Sequence, residues 1–512
     1  MPDTPFATDP PAAAPCRHDG ALSPDEVSSL TSGLFMSRLP GPLVDAILAR
    51  VRVWRVSSGE PILRIGQPVE HWLGLASGSA LVFMSPPHQA ELQCTNWAKT
   101  GVWFNLYNPA ALTVSDVEVR AEGPTTVAAL HADDFALLCE RFPELSRQLA
   151  VANAGNLRRT MQAVMAKQRA TLRQRQLFWL VEMARGQAAV HPPGDHPLLK
   201  QSQDALARAH GVSRQAWCEG MKAIEDEGLI RRVDGELTLP DPAALEEALA
   251  VENRFVEAPF SVHQRPEAQV RTQGHPSGGA SAAQTLRTSE LSRVCRGRWF
   301  RSLTPSIQQR TLEVSEVRRL AAGETLLRAG EWPLGCWLVI DGAIRLDNPH
   351  AQAPHRTIAL LPPGAWHSHH DLVYGSPNDF DAVALLPTTL MWMAAEDFEV
   401  LFQQDMDYRI AVARLLALKH AQAVRYSSCF FWPIETRVGI WLQMMHRYFN
   451  MESGAGRVIA ASFALEDVAQ WLGTTRQAVS RQLKALEADG VIQREQGELM
   501  LLQPHRLPQL IS

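Results

Sequence analysis

SSGEPILRIGQPVEHWLGLASGSALVFM, residues 57–84, returns 264 positions later as AAGETLLRAGEWPLGCWLVIDGAIRLDN, residues 321–348. Three glycines hold register without a gap: Gly59 with Gly323, Gly66 with Gly330, Gly78 with Gly342. The short apolar runs between turn residues (PILRIG, HWLGLASG, ALVFM and, further on, TTVAALH) read as strands. The glycines fall where those strands turn back, at positions that want a positive φ or no side chain. A lone glycine marks any loop; a triplet repeated at fixed spacing marks a β barrel.

The second halves match as well, with a shift of 262: ALARAHGVSRQAWCEGMKAIEDEGLI, residues 205–230, lies over DVAQWLGTTRQAVSRQLKALEADGVI, residues 467–492. So small a drift over half a chain means a duplicated unit, each copy pairing a β region with a helix-turn-helix pattern. At 512 residues the chain is too long for one core. Its 46% apolar and 20% charged content fits a globular protein, and no apolar run of about 18 residues suggests a membrane span. The proline-rich residues 1–27 read as a disordered lead-in, neither a secretory signal nor a transit peptide. Seven scattered cysteines without CxxC spacing fit a reducing cytoplasm and supply no metal or iron–sulfur framework. A net charge of −5 argues mildly against nucleic acid, but one basic helix end can serve an acidic regulator.

A short helical segment over 40–52 precedes the first β region. From Ala132 the pattern turns helical, and 146–168 reads as one long amphipathic helix with Leu149, Ala152, Leu157, Thr160, Val164 and Met165 near one face. Ile410, Ala413, Leu416, Ala417, His420 and Val424 stand in the equivalent place. Such a stripe needs a surface: its counterpart in the other repeat, a second chain, or its own barrel. Residues 254–290, rich in Pro, Gly, Ser, Gln and Ala, read as a flexible linker of about 30–35 Å relaxed span, enough for the repeats to dock side by side.

In the C-terminal copy, Leu465 to Leu472 form a first helix, Gly473 turns it, and Thr474 and Thr475 can cap a second helix from Arg476 to Asp489 that stops at Gly490. Ala469, Leu472, Val479, Leu483 and Leu486 lock the pair. The outward face shows Arg476, Gln477, Ser480, Arg481 and Lys484. Arginine bonds guanine O6 and N7, glutamine suits adenine, and lysine and serine reach phosphates. Major-groove entry needs such residues at the helix N-terminus. VIQREQGELMLLQ then reads as a wing turning at Gln496-Gly497. An αα-hairpin in an enzyme core is the bland alternative. The N-terminal copy keeps Gly211, Arg214, Gln215, Ala216, Lys222, Gly228, Ile230 and a wing turn at Gly235. Its reading face departs: Glu219 replaces Arg481, Gly220 replaces Gln482, and Trp217 and Cys218 replace Val479 and Ser480. Arg214, Gln215 and Lys222 are thus expected to make at most a weak second DNA contact. Glu219 could instead read cytosine N4.

Over about 30–255 and 291–512 these features resemble the Crp/Fnr superfamily of bacterial transcription regulators, in tandem. The resemblance rests on Gly59-Glu60…Gly66…Gly78, on Gly323-Glu324…Gly330…Gly342, on TRVGIWLQMM (436–445) and on LGTTRQAVSRQLKALEADGVI (472–492). It implies an α+β fold of two repeats, each a cyclic-nucleotide-binding-like β roll, a long dimerisation helix and a winged helix-turn-helix. The expected boundaries are rolls at 28–145 and 291–402, long helices at 146–170 and 403–432, and winged domains at 171–253 and 433–512. The family's reading residues fall on Arg476, Gln477 and Arg481. Family members are homodimers, so either the two repeats pair within one chain or each pairs with its twin in a second. Double-stranded DNA is the expected partner, RNA polymerase is admitted, and the chain is expected to be cytoplasmic.

The ligand region departs from the family. KTGVWFNLYNPAALTVSDVEVRAEGPTTVAAL (99–130) and PPGAWHSHHDLVYGSPNDFDAVALLPTTL (362–390) both lack the Glu after glycine. The second has no arginine, and in the first Arg120-Ala121 is followed by Glu122. A cyclic phosphate without a cationic partner is poorly held, so no cyclic nucleotide, iron–sulfur cluster or other cofactor is expected. His367, His369 and His370 read as a solvated loop rather than a metal or haem site, and Trp103, Trp366 and Trp392 as barrel core. The leading function is a sequence-specific DNA-binding transcription regulator. The alternative is a sensor or protein-interaction module that no longer binds DNA. An enzyme finds no nucleophile motif, phosphate loop or zinc signature.

Overall fold

The computed structural model describes residues 20–33, 35–84, 93–104, 115, 117–169, 171–188, 196–197, 203, 207, 213–233, 236–252, 281–347, 357–429, 432–449, 457–458, 465–472, 474–495 and 498–507. The turn residues Gly211, Gly235, Gly473, Gln496 and Gly497 lie outside them. By contacts the chain divides into two units. One holds the first roll up to Leu145; the other holds the first long helix from Ser146, both winged domains and the second roll.

The first roll is two four-stranded antiparallel sheets. One orders Arg52–Val56, Thr125–His131, His71–Ser77 and Trp103–Phe104; the other orders Pro61–Leu63, Val117–Ala121, Ser79–Met84 and Gln93–Lys99. Between them lie Trp54, Ile62, Leu73, Leu75, Val119 and Val127, inward residues of alternating strands. The second roll repeats this order with Ser315–Leu320, Thr388–Ala394, Gly335–Asp341 and Trp366–His367 against Thr325–Leu327, Asp381–Ala384, Ile344–Asp347 and Thr357–Leu361. All six register glycines have φ between 78° and 83°, as their turns require. At Gly78 and Gly342 an added Cβ would also strike a proline carbonyl, at 2.6 and 2.5 Å, so the β roll turns tolerate nothing larger.

Each roll is closed by a helix absent from the sequence expectations. Pro24–Ser32 starts at Ser23 with a reciprocal capping box to Glu26, and Thr288–Arg296 starts 264 positions later. Both carry an ion pair from a buried glutamate to a half-exposed arginine of the roll: Glu26 Oε1 to Arg55 at 3.1 Å, and Glu290 Oε1 to Arg319 at 3.4 Å. Order therefore begins before residue 28, and residues 281–290 are not linker: Ala282–Thr285 is helical with Ala282 fully buried. Both corrections share a cause. These helices bury only a few side chains, too few to show an apolar period. The stretch 40–52 contains a shorter helix, Gly41–Leu48. Trp103, Trp366 and Trp392 are core, as expected.

The long helices run Pro143–Arg169 and Met406–Cys429. Within the second unit they meet: Asn153 Nδ2 donates to the Ala413 carbonyl at 3.3 Å, and Arg409 Nε to Ser146 Oγ at 3.4 Å, both buried. Arg158 reaches the second roll, pairing with Asp379 at 2.8 Å. Gly155 lies where a Cβ would be 2.9 Å from the Tyr374 ring. The first helix thus packs against the other repeat through Ser146, Asn153, Gly155 and Arg158. Of the expected apolar stripe Leu149 and Leu157 are buried and Ala152 and Thr160 half-buried, while the side chains of Val164 and Met165 lie outside the described residues. Ala413, Leu416 and Ala417, on the facing helix, are buried. His367, His369 and His370 are not a solvated loop. They lie at the end of the strand Trp366–His367 and the start of the helix His369–Tyr374, and all three are buried. Roll packing around Trp337, Trp299 and Phe398 encloses them, which no local pattern announces.

Candidate nucleic-acid interface

Thr475 has extended backbone and its hydroxyl accepts from the Ala478 N–H at 3.3 Å, so the helix Arg476–Ala488 starts as a capped helix should. Val479 and Leu483 point inward, fully buried in a core with Val468 and Ala469 of the preceding helix Leu465–Trp471, Leu472 just after it, and Trp441, Leu442 and Met445 of Ile434–Phe449. With that face committed, helical spacing puts Arg476, Gln477, Ser480, Arg481 and Lys484 on the other. Thr475, Arg476, Gln477, Arg481 and Lys484 are exposed; Thr474 and Ser480 are half-buried. The candidates from Thr474 to Lys484 thus share one helix and its cap, with Arg476 and Gln477 in the first turn and Arg481 and Lys484 further along. The positive end of that helix adds to the field an anion meets there.

Two anchors hold this domain. Ala343 and Leu360 of the second roll join its core, and the Tyr426 hydroxyl, from the long helix, donates to the Trp471 carbonyl at 3.0 Å. Gly490, at φ 68°, ends the helix, and the wing follows as Ile492–Glu495 paired with Glu498–Leu501, with Arg457–Val458 as third strand. Arg494 at the wing is fastened to Glu487 at 3.1 Å. Arg476 is paired with Glu466 at 2.9 Å. Sequence reading missed that pair, although Glu466 stands ten residues before Arg476. The pair holds the guanidinium on the outer face, and since both groups are exposed it contributes at most about 1 kcal/mol.

The N-terminal copy builds the same frame. Ser213 caps Arg214–Asp226 by accepting from Ala216 N–H at 3.2 Å, and Trp217, Met221 and Ile224 pack with Leu177, Leu180, Val181 and Leu245. Trp217 is therefore no loss from the reading face; it fills the core position that Val479 fills in the other copy. Gly220 also has a packing reason. Gln176, wholly buried, donates from Nε2 to the Trp217 carbonyl at 2.8 Å, and a Cβ on residue 220 would lie 2.3 Å from its Oε1. Arg214, Gln215 and Lys222 are exposed, but Gln215 is bonded to Glu219 at 2.9 Å, and that carboxylate shares their surface.

No described helix is long and apolar enough to cross a membrane. A model of the Crp-like helix-turn-helix domain matches twice, at residues 174–248 and 436–510, and a model of the cyclic nucleotide-binding domain matches residues 317–405. A curated relative, the "Cyclic AMP receptor protein" of Thermus thermophilus, is 27% identical over 194 residues, covering 38% of this chain and 87% of its own length. The solved Catabolite Activator Protein of the same organism is 25% identical, covering 40% of this chain and 94% of that one with a TM-score of 0.23. FixK2 from Bradyrhizobium japonicum is 21% identical, covering 39% and 100%, with a TM-score of 0.31. The chain thus carries two Crp-like helix-turn-helix domains and a cyclic nucleotide-binding domain on an α+β fold, and the repeat of the helix-turn-helix domain is that of a tandem duplication.

Proposed function

We propose that the chain is a sequence-specific DNA-binding regulator whose two repeats pair within one molecule. The observation that carries this reading is the exposed cluster Arg476, Gln477, Arg481 and Lys484 on a Thr475-capped helix whose opposite face is fixed by Val479 and Leu483. A rigid scaffold under short-range readers is what base discrimination needs, because misplaced hydrogen-bond donors reward the wrong base equally. Arg476 and Arg481 read base edges, Gln477 supports them, and Thr474, Thr475, Ser480 and Lys484 hold phosphates. The N-terminal helix, with Arg214 and Lys222 beside Glu219, grips the backbone weakly and adds little sequence information. The buried Asn153–Ala413 and Arg409–Ser146 contacts support pairing of the long helices inside one chain. No cyclic nucleotide is read by the second roll, since the segment between Gly364 and Leu390 supplies neither an arginine nor a Glu after glycine to hold a cyclic phosphate and its ribose. The protein acts in the cytoplasm.

Selection of bound duplexes from a random pool by the full chain tests this, with Arg476→Ala/Arg481→Ala as control. The expected result is one conserved half-site beside a degenerate flank, lost in the control. A palindrome would replace the one-chain pairing with a two-chain dimer. No enrichment would leave the protein-interaction reading in its place.

A further inference from the structure

The second roll buries an unusual set of polar side chains: His367, Ser368, His369, His370, Asp371, Ser376 and Asn378 are all below a tenth exposed. Burying a carboxylate costs several kcal/mol unless a partner compensates it. Yet both Asp371 side-chain oxygens lack a hydrogen-bond donor, as does the nearby Ser376 hydroxyl an acceptor. His370 Nε2 stands 3.3 Å from Asp371 Oδ1, outside hydrogen-bonding geometry. Ser368 holds φ 66°, a left-handed conformation rare for a side-chain-bearing residue, at the step from strand to helix where His367 and His370 turn toward each other. Their rings are 5.3 Å apart.

From this geometry we propose that His367, His370 and Asp371 form a binding site for a divalent transition-metal ion of the zinc class. One ligand atom from each residue lies within 4.8 Å of the other two. Three such points share a centre no more than about 2.8 Å from each, and bonds of about 2.0–2.2 Å need each side chain to close by roughly 0.7 Å. Two imidazoles and one carboxylate suit zinc, iron, cobalt or nickel and disfavour calcium or magnesium. His369 Nδ1 faces the His367 carbonyl at 3.2 Å, bracing the strand end from the outer shell. Burial, then the Lys419 charge, pushes the pKa of His367 and of His370 down, so both imidazoles of the proposed site are neutral. Three protein ligands leave a coordination position open on a four-coordinate ion.

Two cations oppose it. Lys419 donates to the Trp366 carbonyl, and burial lowers its pKa to about 8. Arg158 is engaged by Asp379 at 2.8 Å. Lys419 comes from the second long helix and Arg158 from the first, so the site sits where both meet the roll.

The test uses full-length protein stripped with chelator and titrated with Co2+ in visible absorption, then with Zn2+ as competitor. One equivalent of Co2+ is expected, displaced by Zn2+, with uptake weakened by more than about 100-fold in His370→Gln and Asp371→Asn. No uptake by the wild-type chain would overturn the proposal, as would unchanged uptake in both variants. If either variant fails to fold, X-ray absorption of the wild-type cobalt form decides. Imidazole and carboxylate scattering supports the site, and a sulfur-containing or all-oxygen shell refutes it. None of these readouts depends on DNA binding.

Discussion

Replacing Gly220 by alanine sets helix propensity against packing. In an exposed helix interior the change should stabilise by about 1 kcal/mol. Here the added Cβ would lie 2.3 Å from Gln176 Oε1, 2.8 Å from its Nε2 and 2.9 Å from its Cδ. The amide terminates a flexible side chain, but it is wholly buried and tied to the Trp217 carbonyl at 2.8 Å. To clear the methyl it must leave that carbonyl, and no solvent lies within reach. Loss of a buried hydrogen bond with its partners unpaired costs about 1–3 kcal/mol, and overpacking about 1–3 more. Packing wins, and the net loss is about 1–5 kcal/mol. Because several domains unfold together, global melting is a poor probe. Hydrogen exchange over Arg214–Asp226 in the full chain should instead show protection reduced by at least roughly 5-fold and up to roughly 5000-fold. In a Gln176→Ala background the collision is gone, and the same Gly220→Ala change should stabilise by about 1 kcal/mol. Equal effects in the two backgrounds, or stabilisation in the wild type, would refute the argument that Gln176 excludes a side chain at 220.

Arg476→Ala should cost about 1–3 kcal/mol on the selected duplex and relax base choice at one position, whereas Lys484→Ala should weaken all sequences alike and lower the salt slope by about 1. Equal losses on selected and random DNA for Arg476→Ala, in a fluorescence titration, would remove it from base reading. Glu26 supplies a pH dependence in the first roll. Burial alone would raise its carboxyl, but the Ser23 N–H, the Thr126 hydroxyl and the Arg55 guanidinium outweigh it and hold the pKa at about 2, below the ordinary 4.5. The ionised form is therefore the one that folding favours. Its stabilisation is complete above about pH 4.5 and fades as pH falls toward 2. Glu26→Gln should flatten this part of the acid response measured by exchange in Pro24–Ser32; an unchanged slope would assign it to other carboxylates.

Much of the interface was legible because its signals are local. A turn needing positive φ selects glycine, so Gly59, Gly66, Gly78 and their three counterparts mark the rolls whatever surrounds them. A helix with one buried stripe shows its period, so the faces of Arg476–Ala488 follow from Val479 and Leu483 alone. The capping helices escaped notice because Pro24–Ser32 and Thr288–Arg296 each bury only two residues. Their common 264-residue offset was nonetheless present in Glu26 and Glu290, and in Arg55 and Arg319.

By itself the sequence determined the duplication, the roll turns and the outward residues of the helix Arg476–Ala488, since periodicity and backbone chirality act over a few residues. Tertiary structure decided what these elements meet. It set Gln176 against Gly220, Asn153 against Ala413 and Arg158 against Asp379, and it turned a histidine-rich stretch that reads as solvated into a buried cluster. Burial is a property of partners that lie tens to hundreds of residues apart in the chain, and the cost of a polar group depends on it entirely.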